Sequence, residues 1–277
     1  MELMDTPVPP HRAAGADYRF ERFRTRLLID DMTFGRDALG PGSPLPEFDL
    51  PTLDGGRFAS GALGRRPVLM VFGSRTCPVT ESAVPVLKRL HARFGEQVRF
   101  VLVNTREAHP GEEIGQPATA AEKHRHARRL RDHHAIPFEV AVDDIDGTLH
   151  RAFTPKPNSA YLVDPAGTVV FRSHWANDEP ALREALERAA AGRPVHGRSR
   201  AMARPLLRAV GHLPGVVAAA GSRTGRDVWR AAPPLAVLGA LSRLFPRLPA
   251  DRRGPAAAAA AALIVCAAAP GLAVLAR

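Results

Sequence analysis

Two cysteines, Cys77 and Cys266, are the only thiols in 277 residues. They are too few and too far apart for a disulfide framework or a multi-cysteine zinc site. Cys77 is the one placed to do chemistry. It lies in Gly73-Ser74-Arg75-Thr76-Cys77-Pro78, between an apolar run and a segment of helical periodicity. At such a junction the unpaired amides and the helix dipole favour thiolate over thiol. The position therefore predicts a nucleophile with a depressed pKa, with Arg75 adding positive charge and the Ser74 and Thr76 hydroxyls available to an anion. His109 follows the end of the next apolar run and is a candidate functional residue beside the thiol. The competing reading is a small cysteine that only packs.

The elements that must position these residues are legible. Residues 67–72 form a short apolar run bounded by Gly73, the pattern of a strand buried on both faces. Pro78 suits the first position of a helix, and Val84, Leu87, Leu90 and Phe94 follow at helical spacing until Gly95, which makes Cys77 the N-cap. Residues 98–103 are a second strand, giving a β-α-β unit. A basic helix is expected over about 119–133, a strand over 138–142 and a short helix near 147–153. A hairpin turning at Asp164-Pro165-Ala166-Gly167 and an amphipathic helix over 178–190 follow. Ahead of the unit, Phe48-Asp49-Leu50 and Gly56-Arg57-Phe58 flank Asp54-Gly55-Gly56 as a small β-hairpin.

This order resembles a thioredoxin fold with the additions of the redoxin branch, but Thr80 stands where thioredoxins carry their second cysteine. Of the residues peroxiredoxins place before their nucleophile, only Ser74 matches, because position 70 is Met70. The closer resemblance is to the iodothyronine deiodinases. That family carries Phe-Gly-Ser-Cys-Thr-selenocysteine-Pro, and the chain reads Phe72-Gly73-Ser74-Arg75-Thr76-Cys77-Pro78. The family's Glu-Ala-His after the next strand is matched by Glu107-Ala108-His109, and its later His-Arg pair by His124-Arg125. The resemblance implies reductive dehalogenation of an iodinated aromatic by Cys77, with no cofactor and an external thiol as reductant. Glu107, Ser74 and Thr76 would share one hydrogen-bond network, His109 and His124 would serve proton transfer or the substrate phenol, and Arg75 and Arg125 would lie at the substrate. Two positions depart from the family: Arg75 replaces a cysteine, and Trp175 lies where a basic substrate contact is kept.

Residues 1–194 balance 26 basic against 26 acidic side chains, whereas residues 195–277 hold 12 basic and 2 acidic ones. The neutral main domain argues against nucleic-acid binding. A basic tail with alternating apolar patches suits an anionic membrane face. Residues 254–276 carry no formal charge and exceed the roughly 20 residues needed to span a bilayer. These features predict a chain anchored by its C-terminus with the main domain in the cytoplasm, and the first residues show no secretory signal. The expected organisation is an arm over 1–40 and a thioredoxin-like redox domain over 41–194. A basic linker or interfacial helices over 195–253 and a candidate transmembrane helix over 254–276 complete it.

Eleven histidines raise the question of a metal. The densest group is His124, His126, His133 and His134 on the basic helix. His-x-His directs its rings to different faces, so a solvated helix face is expected and no metal site. Three functions remain: a deiodinase-like thiol oxidoreductase, a one-cysteine peroxidase, and a membrane-tethered binding module without turnover. Oligomeric state is not encoded in any of these patterns.

Overall fold

The computed structural model describes residues 18–35 and 38–275, with side chains as far as Cys266. At its centre is β3 (Val68–Gly73), all six residues buried. It pairs in parallel with β4 (Arg99–Asn104), which pairs in parallel with β5 (Glu139–Val142). On its other side β3 pairs antiparallel with β6 (Ala160–Val163), and β6 with β7 (Val169–Ser173). The small hairpin β1 (Asp49–Pro51) and β2 (Arg57–Ala59) stands apart as a two-stranded sheet. This is the thioredoxin-like α/β arrangement expected from the sequence.

Strand alternation sends Leu69 and Val71 to one face and Val68, Met70 and Phe72 to the other, so the sheet has two apolar cores. The first core takes α2 (Pro78–Phe94) through Val84, Leu87, Leu90 and Phe94. It also takes α3 (Ala120–His134) through Ala127 and Leu130, and α5 (Glu179–Ala190) through Leu182 and Leu186. The second takes Phe58 and, from α4 (Thr148–Ala152) and its end, Leu149 and Phe153. Asp164 accepts from the Thr168 amide at 2.8 Å and closes the β6–β7 turn.

Residues 195–253 fold onto this body. β8 (Gly197–Ser199) extends the sheet as a sixth strand parallel to β7. Four helices follow: α6 (Ala203–Val210), α7 (Leu213–Ala220), α8 (Ser222–Ala231) and α9 (Pro233–Ser242). α6 packs on α2, and α8 reaches α1 (Thr25–Asp31). The two acidic residues of the tail are both fasteners. Asp227 receives Arg22 Nε at 3.1 and 3.2 Å, and Asp251 receives Arg208 at 2.8 Å and meets His212 at 2.7 Å.

The expected transmembrane helix is corrected. Residues 254–275 of it belong to α10 (Ala250–Leu275), residue 276 lies outside the described residues, and no helix among the described residues is long and apolar enough to cross a membrane. Its opening turns pack on α6 and α9, with Gly254 and Ala257 buried. A Cβ on Gly254 would collide with the Leu207 carbonyl, so the small residues there serve close helix crossing. Alanine contributes too little hydrophobicity for insertion but suits such a contact. Membrane anchoring therefore has no support from this helix.

Candidate active site

β3 and β4 run parallel, so the loops leaving their carboxyl ends, 74–77 and 105–116, meet at one sheet edge, where ligand crevices of α/β folds form. Cys77 is the N-cap of α2 in an extended conformation, and Pro78 opens the helix. Hydrogen bonds zip the two loops together. The Thr76 amide and hydroxyl donate to Glu107 Oε2 at 2.9 and 2.7 Å, and the His109 amide donates to Thr76 Oγ1 at 3.1 Å. The Ala108 amide donates to Ser74 Oγ at 3.2 Å, and the Ser74 amide to Thr80 Oγ1 at 3.3 Å. Glu107 is fully buried, and its second oxygen meets His126 Nδ1 at 2.9 Å. Ser74, Thr76 and Glu107 thus form one network whose geometry fixes the cysteine loop against His109.

The thiol itself departs from expectation. Cys77 is 1% exposed. Burial pushes its pKa up to about 11, against the favourable bonds from the Thr80 amide, the Thr80 hydroxyl and the Val79 amide. The helix terminus acts as anticipated, but withdrawal from water outweighs it.

What withdraws it is a cover drawn from both ends of the chain. The sulfur opens onto an apolar cavity of about 70 Å³ that His109 and Trp175 also line. Phe23 and Met32 close it from the N-terminal side, and Leu206 and Val228 from the tail helices. With water occupying about 30 Å³ in the liquid, this is space for very few waters, whereas small-molecule pockets run to several hundred cubic ångströms. The cover is fastened to the very loop that carries His109. Glu112 accepts from the Ser222 hydroxyl at 2.8 Å and the Arg223 amide at 2.9 Å, and Thr224 Oγ1 donates to the Pro110 carbonyl at 3.2 Å. Gly111 lies so close to Ala220 that a Cβ would strike its carbonyl.

The His109 ring packs at a tilt on Phe23 with ring centroids 4.2 Å apart, its Nδ1 is buried without a partner among the described residues, and burial lowers its pKa to about 4. It is a neutral imidazole at physiological pH. Asp31, at the end of α1, lines the same cavity, and burial raises its carboxyl to about 7.

Other expected positions fall elsewhere. Arg75 turns away from the cavity, binding Glu81 and lying 3.4 Å from His133 Nδ1. Arg125 is exposed and pairs with Glu122 at 3.4 Å, and neither it nor His124 lines the cavity. His126 makes the contact to Glu107 instead. Sequence reasoning missed it, although the buried residues Lys123, Ala127 and Leu130 mark the inward face of α3, and His126 is the histidine beside that face. Trp175, which the family resemblance places at a substrate-contact position, does line the cavity, whereas Asp31, Phe23 and the tail residues were missed because their proximity to Cys77 is purely tertiary.

A family model described as iodothyronine deiodinase matches residues 37–188. The chain belongs to the iodothyronine deiodinase family. Among curated relatives, it is 32% identical over 133 residues to the thyroxine 5-deiodinase of Gallus gallus, covering 44% of this chain and 52% of that protein. It is 30% identical over 106 residues to the type II iodothyronine deiodinase of Neoceratodus forsteri, covering 33% and 39%. The chain thus spans about half the length, or less, of the curated deiodinases it matches. Among solved structures, an uncharacterized conserved protein from Geobacillus kaustophilus shares 20% identity at a TM-score of 0.46, covering 56% of this chain and 84% of that one. The deiodinase-family segment ends before α6, so most of the cover over Cys77 comes from outside it.

Proposed function

We propose that this deiodinase-family protein is a thiol oxidoreductase that removes iodine reductively from an iodinated aromatic, with Cys77 as nucleophile and a small external thiol as reductant. The carrying observation is that Cys77 and an unpartnered, neutral His109 line one apolar cavity, on loops locked together through Glu107. The deprotonated sulfur attacks the polarizable iodine. An S–I bond forms, the C–I bond breaks with its electron pair on carbon, and that carbon takes a proton. An external thiolate then displaces iodide from the Cys77 sulfur to leave a mixed disulfide, and a second thiolate attacks that bond, restoring the Cys77 thiolate and releasing the disulfide of the reductant. Two thiols are oxidised to one disulfide for each carbon–iodine bond reduced. His109, with its pKa near 4, supports this as a neutral proton carrier or phenol partner. Substrate reaches the sulfur only when the helical cover shifts, so opening forms part of the cycle.

The experiment is iodide release from an iodinated phenol with dithiothreitol supplied, beside peroxide consumption under the same conditions, each with Cys77→Ser as control. Cys77-dependent iodide release is expected. Peroxide consumption without iodide release replaces the proposal with a one-cysteine peroxidase, and neither activity leaves a binding module.

A further inference from the structure

Away from the cavity, the first turn of α2 and the last turn of α3 bring together side chains that the active-site chemistry does not use. His133 Nε2 lies 3.2 Å from one Glu81 oxygen, and His134 Nε2 lies 3.6 Å from the other. One ligand atom from each of the three residues falls within 4.8 Å of the others. The His134 side chain is only 9% exposed, and its Nε2 makes no hydrogen bond, since 3.6 Å is too long for one. Ligand atoms about 2.0–2.2 Å from a tetrahedral ion are separated by roughly 3.3 Å, which each imidazole approaches to one Glu81 oxygen, while the three ligand atoms together lie within 4.8 Å and need only side-chain rotation to close on an ion. The acidic partner, which no spacing on the helix itself could supply, comes from α2.

We propose that Glu81, His133 and His134 form a binding site for a divalent transition ion of the zinc class, with the fourth position open to water. Two imidazole nitrogens and one carboxylate oxygen select such an ion over magnesium or calcium, which prefer all-oxygen shells. Arg75 is the resident cation. Its guanidinium binds Glu81 and approaches His133 Nδ1 at 3.4 Å, so the ion and Arg75 compete for the same carboxylate. Metal binding would release Arg75, two residues before Cys77, and would tie α3 to the turn that presents the thiol.

The test is titration of untagged full-length protein, carrying Cys77→Ser and Cys266→Ser to remove thiolate ligands. Cobalt(II) would be followed by its d–d absorption and zinc(II) by competition with a chromophoric chelator. One equivalent should bind. His133→Ala, at a position 42% exposed and therefore safe for folding, should weaken binding about tenfold or more, as should Glu81→Gln. Arg75→Gln should tighten it, an effect that adventitious surface histidines would not show. Absence of one-equivalent binding, an affinity untouched by His133→Ala, or weaker binding in Arg75→Gln would overturn the site.

Discussion

The buried thiol makes a quantitative prediction about its own reactivity. With a pKa of about 11, the thiolate fraction of Cys77 at neutral pH is about 100-fold below that of an ordinary thiol of pKa about 9. A more basic thiolate is intrinsically more nucleophilic, with a Brønsted slope of about 0.4–0.5, which restores a factor of roughly eight over two units. The chemical handicap at pH 7 is therefore about tenfold, before any hindrance from the cover. Iodoacetamide alkylation of Cys266→Ser protein, followed by mass spectrometry across pH, should be slow at neutrality and climb without a plateau until about pH 11. The perturbation is Asp227→Asn, which keeps the shape of the side chain but removes the charge that fastens Arg22 to α8. Loosening the cover lets water reach the sulfur, so the inflection should fall toward 9 and the neutral-pH rate should rise. A plateau at or below pH 8 in the protein with Asp227 intact would falsify the reasoning. So would an Asp227→Asn profile superimposed on it. Stability follows the same group. The folded pKa lies above the unfolded value, so the folded state binds the extra proton and loses its advantage as pH rises from about 9 to 11.

Other outcomes follow from the same geometry. His109 has the opposite linkage: its folded pKa of about 4 lies below the usual 6.5, so stability should decline as pH falls across that interval, measured by urea unfolding. His109→Gln should shallow that decline, and an unchanged slope would place the ring in water. Glu107→Gln removes a buried charge that accepts from Thr76 and meets His126, and should cost about 2 kcal/mol in the same unfolding assay. Gly254→Ala drives a methyl into the Leu207 carbonyl and should cost about 1–3 kcal/mol while speeding Cys77 alkylation. A neutral effect there would mean that α6 and α10 do not cross so closely.

The cysteine loop was legible because its information is local. Strand β3, the N-cap position of Cys77 and Pro78 at the helix start lie within a dozen residues, and Glu107 and His109 follow the adjacent parallel strand. The acidity of the thiol was not legible. The dipole argument concerns its neighbours in sequence, whereas the cover that withdraws the sulfur from water includes Phe23 and Met32 from one side and Leu206 and Val228 from the other, all far away along the chain. The tail misled for a related reason. Apolar patches punctuated by arginine read alike whether they face lipid or a groove of the same protein, and strand β8 is three residues whose pairing exists only beside β7. The contact of His126 with Glu107 was a different kind of omission, because the family resemblance points to His124, whereas the period of Lys123, Ala127 and Leu130 puts His126 beside the inward face of α3.

Since part of the stopper over the sulfur comes from helices that follow the sheet in the chain, biosynthesis leaves an interval without that part. Strands β3 to β7 and the cysteine loop have all emerged by residue 188, while α8 and α9 are still to be translated. At roughly 5–20 residues per second the reactive group faces the surrounding fluid for several seconds in every new copy. During that window the nascent chain is open to oxidants and to bulky guests that the finished fold excludes.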